Sequence, residues 1–250
     1  MARGVKTPWL STLLVAALIG GAGYAALFLA PAERTMGLIQ RIFYFHVPSA
    51  WAGFVAFGIT FVACIAYLVK RAPKWDWLAV SAAEMGVVFF TVVLVTGPIW
   101  AKPVWGIWWT WDARLTSTFV LWVLYLSYLV LRTLVGDAER RAVVSAVFGV
   151  FAFLDVPLVY LSIWFWRTQH PQPVIGGGGM DRHMWPPFLL CWAALLGVMV
   201  LLLRQRYRLE ALRHEVQEIS LTADFAASQG GFSPVPRGGS RVPSLKGAAR

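Results

Sequence analysis

Apolar residues in this chain gather into six long blocks, 9–30, 47–69, 77–98, 115–131, 142–166 and 185–203, separated by short polar joints. A run of about 20 apolar residues, each rising ~1.5 Å, crosses the ~30 Å hydrocarbon core of a bilayer. The blocks predict six membrane-spanning helices, with 9–204 as one membrane domain of an all-α integral membrane protein. Residues 1–8 precede it as a short N-terminus. Beyond 203 the helical period persists, with Leu209, Leu212, Val216 and Ile219 spaced by three and four. That predicts a helical extension over 205–225, too short for a coiled coil. From 226 to 250 the Ser, Gly, Pro and basic residues predict a disordered tail held near anionic lipid.

Composition agrees: 58% of the 250 residues are hydrophobic and 14% are charged, which spanning helices explain without a soluble core. The net charge of +10 raises nucleic acid as a partner, but the placement of Lys and Arg points to membrane topology instead. Arg3 and Lys6, then Lys70, Arg71 and Lys74, then Arg132, Arg140 and Arg141, and eight more from Arg204 onward all fall on one side of the six spans. Only Arg34, Arg41, Lys102, Arg114, Arg167 and Arg182 fall on the other. The positive-inside rule puts both termini in the cytoplasm and the joint between spans three and four outside. Arg3, Lys6 and a small-x-small site at Ala30 and Ala32 imitate a secretory signal. The first apolar run is about twice the usual ~7–15 residues of such a core, so an uncleaved first helix is predicted.

The polar residues inside the blocks are few. Glu84 and Asp155 are costly in hydrocarbon and are predicted to face the bundle interior, as ligand or proton groups or, more plainly, as helix-to-helix bonds. Asp155, two residues before Pro157, would then bond backbone groups freed at the kink. Cys64 and Cys191 lie in spans, far from any C-x-x-C, and read as small packing residues. Gly20, Gly21 and Gly23 predict a close approach of another helix to the first span. No P-loop motif is present.

Chemistry concentrates in Trp105 to Arg114, W-G-I-W-W-T-W-D-A-R: Trp105, Trp108, Trp109 and Trp111, with Trp100 just before and Asp112 and Arg114 closing the stretch. Interfacial aromatic belts place about one ring per helix end, whereas five tryptophans here fall within twelve residues. So dense an aromatic patch suits a planar apolar ligand. Two histidines flank it by topology: His46, in F-H-V-P, at the mouth of span two, and His170, in T-Q-H-P, after span five. Imidazoles, indoles and a guanidinium together suit haem, whose iron takes axial nitrogen ligands, whose ring stacks on indole and whose propionates pair with arginine. Each residue has a plainer reading too: Asp112 as a helix cap, Arg114 as an interfacial anchor, the histidines as interfacial residues. His183 is a reserve ligand beyond the glycines 176–179, and His214 falls on the opposite side.

The stretch W-G-I-W-W-T-W-D-A-R-L-T, together with R-I-F-Y-F-H-V-P-S-A-W around His46, V-T-G-P-I-W-A-K-P and D-V-P-L-V-Y-L-S leading to His170, resembles the haem-handling membrane proteins of cytochrome c assembly that carry a "WWD" segment. Within them it is most similar to the haem exporter protein C (CcmC) family, over roughly 38–203. The resemblance implies b-type haem held non-covalently at the periplasmic face of the bacterial inner membrane, with His46 and His170 as axial ligands. It implies delivery to a periplasmic haem chaperone rather than catalysis. Its partners by the same implication are the permease and ATPase subunits of an ABC transporter and a small single-span helper, besides membrane lipid. The glycine-rich insertion and basic tail depart from the family pattern. Two other readings stand beside it: a membrane haem protein for electron transfer, and a cofactor-free structural permease subunit.

Overall fold

The computed structural model describes residues 9–171, 175 and 179–229. The predicted N-terminus 1–8, the glycines 176–178 and, from 230 on, the predicted tail 226–250 lie outside the described residues; 226–229 are helical, not disordered as expected. Every element is helical: α1 (Trp9–Tyr24, ending in a π turn, Ala25–Leu29), α2 (Phe43–Lys70, entered through a 3-10 turn, Leu38–Ile42), α3 (Pro73–Trp105), α4 (Ala113–Leu134), α5 (Ala138–Phe153), α6 (Asp155–Phe165) and α7 (Trp185–Gln229, entered through Arg182–Met184). Six segments are long and apolar enough to cross a membrane, α5 and α6 sharing one. The fold is therefore the all-α, six-span architecture that the apolar blocks predict.

The joints follow local chemistry. Arg71 takes the left-handed conformation at φ 52° that ends α2, and Pro73, with its preset φ, starts α3 after only Arg71 and Ala72. At the far end of α3, Gly106 at φ 78° supplies the turn that releases the tryptophan stretch. Asp112 and Asp137 cap α4 and α5, accepting the N–H groups of Leu115 and Arg140. Pro157 has no N–H to offer Phe153, and the span breaks there: Leu154 closes a tight turn on Phe151 and α6 begins at Asp155. Pro98 and Pro103 do not stop α3, although the sequence pattern ends that span at 98. Each proline removes one ladder bond, and unwinding the backbone in lipid would cost more such bonds.

Lipid tails are as apolar as the side chains, so burial between spans rewards close packing rather than escape from water. Small residues accordingly fill the interfaces, including Ala52, Ala56, Ala63, Ala82, Ala83 and Ala152, all fully buried. The α2–α3 hairpin is locked by two reciprocal pairs. A Cβ at Gly86 would overlap the Phe57 ring, and one at Gly53 would meet Phe90 at 2.5 Å. Phe57 also stacks on Tyr125 of α4, centroids 3.7 Å apart and rings 11° from parallel. Cys64 and Cys191 are free and buried, Cys64 among these rings and Cys191 against α1.

Two expectations are corrected here. Gly20, Gly21 and Gly23 seat no other helix of this chain: a Cβ at any of them would meet nothing within 4 Å among the described residues. The first span packs instead through Ala22, Ala26 and Ala30, which share its other face with Phe188 and Cys191. Asp155, for its part, makes no backbone bond at the kink: it is buried, and its Oδ2 has no hydrogen-bond partner among the described residues. Glu84 is paired, receiving Arg206 Nε and, at 2.6 Å, Arg206 Nη2, while Arg206 also reaches Glu210 at 2.7 Å. Arg132 forms a two-pronged pair with Asp76 at 2.6 and 2.8 Å, joining α3 to α4.

Contacts divide the chain into two units, Met1–Ala211 and Leu212–Arg250. In the second, Leu212, Val216 and Ile219 of α7 are exposed.

Candidate functional site

Because successive spans alternate in direction, the joints after α1, α3 and α6 fall at the same end of the bundle. The site is built there. His46 lies in the first turns of α2, buried, against the C-terminal third of α3. Thr96 and Trp100 stand four residues apart, one helical turn, and so present one face to it. The ring nitrogen Nδ1 of His46 lies 2.8 Å from Thr96 Oγ1. The Trp100 indole meets the imidazole edge-on, at 5.8 Å and 71°. Had α3 ended at Pro98, Trp100 would not share that face.

His170 sits in the joint after α6, partly buried, with Nδ1 2.9 Å from the Pro171 carbonyl oxygen. Its loop is tied to the tryptophan stretch by Asp112. One carboxylate oxygen of Asp112 caps α4 through Leu115 N–H at 3.0 Å, and the other accepts Thr110 Oγ1 at 2.9 Å and Gln169 N–H at 3.2 Å. The capping role foreseen for Asp112 is present, and the bond to Gln169 adds a tether that joins the residue before His170 to the start of α4. Partial burial works against ionisation of Asp112, but the N–H and hydroxyl donors outweigh it and hold its carboxyl below the usual range.

Arg114, the second residue of α4, donates through Nη1 to the carbonyl oxygens of Val159 at 2.9 Å and Tyr160 at 3.3 Å. It thereby bolts α4 to α6, the helix that leads to His170. His46 has His170 and Arg114 as electrostatic neighbours. His170 is likewise acted on by Arg114 and Asp112. Burial, then the Arg114 charge, push the His170 imidazole down to about 4, while the Pro171 carbonyl and Asp112 pull the other way. His170 is therefore neutral at pH 7, with a lone pair to give. Residues from three distant parts of the chain, His46, Arg114 and His170, thus share one neighbourhood.

The tryptophans do not form one flat plate. Trp105 ends α3, and Trp108 is exposed with Lys102 Nζ 6.0 Å from its ring. Trp109 and Trp111 meet edge-to-face at 5.8 Å and turn towards the outer half of α3 and α4. There, with Thr91, Leu94, Val95, Phe119 and Trp122, they line an apolar groove of about 430 Å³. Trp122 Nε1 donates to Thr91 Oγ1 at 2.9 Å, fixing the groove floor. His183 lies in the turn Arg182–Met184, its N–H bonded to Asp181.

Thr96, Phe119, Trp122 and Gln169 were not singled out from sequence. Thr96 carried a signal, since it lies one turn before Trp100; the α4 aromatics depend on which face of that helix meets α3, and no pattern in the sequence reports it. Among the described residues no three His, Cys, Asp or Glu side chains gather as a bare-metal site. A porphyrin brings four nitrogens of its own, so two imidazoles beside a guanidinium fit it, whereas they would be too few for a lone ion.

Comparison with known proteins shows the family. The family model for "Heme exporter protein C" matches residues 2–222. The chain belongs to the haem exporter protein C family. It is 34% identical over 238 residues to the heme exporter protein C of Bradyrhizobium diazoefficiens, covering 94% of this chain and 88% of that one. It is 31% identical over 211 residues to that of Haemophilus influenzae, covering 83% and 86%, and 32% identical over 207 residues to that of Escherichia coli K12, covering 80% and 82%. Haem exporter protein C members are haem-handling components of cytochrome c biogenesis, transport or assembly factors rather than enzymes in the usual sense. The six spans agree with a multi-pass membrane protein of that kind.

Proposed function

We propose that this chain holds haem at the outer face of the bacterial inner membrane and hands it to a periplasmic haem chaperone, within a complex containing ABC transporter permease and ATPase subunits and a small single-span helper. The observation that carries the reading is the grouping of His46, Arg114 and His170, with Asp112 tying the His170 loop to the end of the tryptophan stretch. His46 and His170 would hold the iron through their imidazole nitrogens. Arg114 pairs with a propionate through N–H groups other than the Nη1 engaged by α6. The stretch Trp105, Trp108, Trp109 and Trp111 would supply indole surface at the edge of the ring, and Asp112 ties the His170 loop to the start of α4. Bound b-type haem is cargo here, held without a covalent bond, and two neutral imidazoles from separate elements let a docking partner displace one while the other retains it.

The test is the absorption spectrum of the detergent-purified full chain. Haem should co-purify, and His46→Ala and His170→Ala should each lower bound haem or change its visible bands, while His183→Ala leaves them unaltered. Unchanged haem in His170→Ala with loss in His183→Ala moves the second ligand to His183. Colourless protein that still assembles with its membrane partners supports the cofactor-free permease subunit instead.

A further inference from the structure

His46 has one conspicuous partner that the haem reading leaves unused. Thr96 Oγ1 lies 2.7 Å from the Val92 carbonyl oxygen, one turn back on α3, and 2.8 Å from His46 Nδ1. A threonine hydroxyl carries one proton, and a carbonyl oxygen carries none. At 2.7 Å, two oxygens need a proton between them, and only Thr96 has one to place there. Its oxygen must then accept from His46, and the proton on that second bond belongs to Nδ1 of the imidazole.

We propose that Thr96 is a positioning residue that selects the Nδ1–H tautomer of His46 and so keeps Nε2 bare, the nitrogen that coordinates haem iron. The inference rests on the proposed haem site and adds the source of its ligand geometry. Trp100, on the same face of α3, bounds the imidazole edge-on, so one helix turn fixes both the tautomer and the ring plane. His170 reaches the same tautomer differently: Pro171 O can only accept, so Nδ1 of His170 is the donor at 2.9 Å. The two ligands therefore present the same atom, one set by a helix and the other by its own loop. Hydrogen-bond partners of ligating imidazoles typically change metal affinity by about 10–100-fold when removed.

The test compares Thr96→Val, which keeps the shape and removes the acceptor, with Thr96→Ser, which retains the hydroxyl. Nitrogen-15 NMR of the haem-free full chain, labelled at its four histidines, reads which ring nitrogen bears the proton, and His46→Ala identifies the signal. Wild type and Thr96→Ser should show a protonated Nδ1 and bare Nε2 at His46; Thr96→Val should shift towards the other tautomer. Haem affinity should fall about 10–100-fold in Thr96→Val and stay near wild type in Thr96→Ser. An Nε2–H tautomer in the wild type overturns the proposal, as does a Thr96→Val chain with wild-type tautomer or wild-type haem affinity. If Thr96→Val does not fold, the wild-type nitrogen spectrum decides alone. Unchanged haem affinity and unchanged visible bands in His46→Ala remove His46 as a ligand and sink the underlying site, a result the nitrogen spectrum of the haem-free chain does not share.

Discussion

His170 and Asp112 respond to acid in the same direction but over different ranges. An unfolded histidine takes up its proton near 6.5, whereas His170 in the folded chain resists until about 4, because burial and Arg114 disfavour the cation. Between those values the unfolded state binds more protons, so stability falls as pH drops through that window. Asp112 is held below the ordinary carboxylate range, so its contribution is present above that range and disappears as pH falls through its depressed value. Of the groups facing His170, Arg114 on α4 and Asp112 at its cap change no charge that would cancel this trend above the carboxylate range, and His46 on α2 faces it as a second imidazole. The thermal midpoint of the haem-free, detergent-solubilised chain should accordingly decline from about pH 6.5 to about 4, and further below it. His170→Gln should flatten the upper part of that decline and leave the lower part. Coincident profiles for the two proteins would show that His170 is not held neutral by its surroundings.

At the scale of elements, the α2–α3 hairpin is the frame on which His46 meets Thr96 and Trp100, and its spacing depends on two glycines. Adding a methyl group at Gly86 drives Phe57 against Tyr125, on which it is already stacked at 3.7 Å. Overpacking of this kind costs ~1–3 kcal/mol, or a fall of roughly 2–10 °C in thermal midpoint for a chain of this size. Gly58, on the same α2, has nothing within 4 Å of its would-be Cβ among the described residues. Gly58→Ala should therefore leave the midpoint unchanged or raise it slightly, while Gly86→Ala lowers it and loosens haem binding at the far end of the hairpin. Equal effects of the two substitutions would mean that the glycine–phenylalanine pairs do not set the hairpin. Apolar periodicity made the six-span fold legible, because a bilayer accepts almost nothing but a helix of the right length. The break before α6 was likewise legible in Pro157. What the pattern concealed was the persistence of α3 through Pro98 to Trp105, and with it the shared face of Thr96 and Trp100. A proline predicts a stop from local geometry, and here the cost of bare backbone in lipid prevailed. The pairing of Glu84 with Arg206 was hidden for another reason: the two are 122 positions apart, and only the packing of α7 on α3 joins them.

The whole molecule makes sense as a haem carrier only if the joints after α1, α3 and α6 face the periplasm, and the asymmetry of Lys and Arg is the physical reason to expect it. The chain is well suited to a direct measurement, because its only two cysteines, Cys64 and Cys191, are free and buried and give little background to a thiol reagent. A single cysteine placed at exposed Ile107, in the tryptophan joint, should react with a membrane-impermeant maleimide applied to intact cells or spheroplasts. One placed at exposed Gly136, between α4 and α5, should react only after the membrane is opened. The two positions differ by one crossing, α4, so a consistent topology requires opposite answers from them. Labelling of Gly136→Cys in closed cells, with Ile107→Cys protected, would invert the protein and place the tryptophan stretch, His46 and His170 in the cytoplasm. Delivery to a periplasmic chaperone would then be impossible by geometry, whatever haem the purified protein binds. Addition of the chaperone partner should in turn slow the labelling of Ile107→Cys and leave Gly136→Cys untouched, since only the outer joint lies where the haem is handed over.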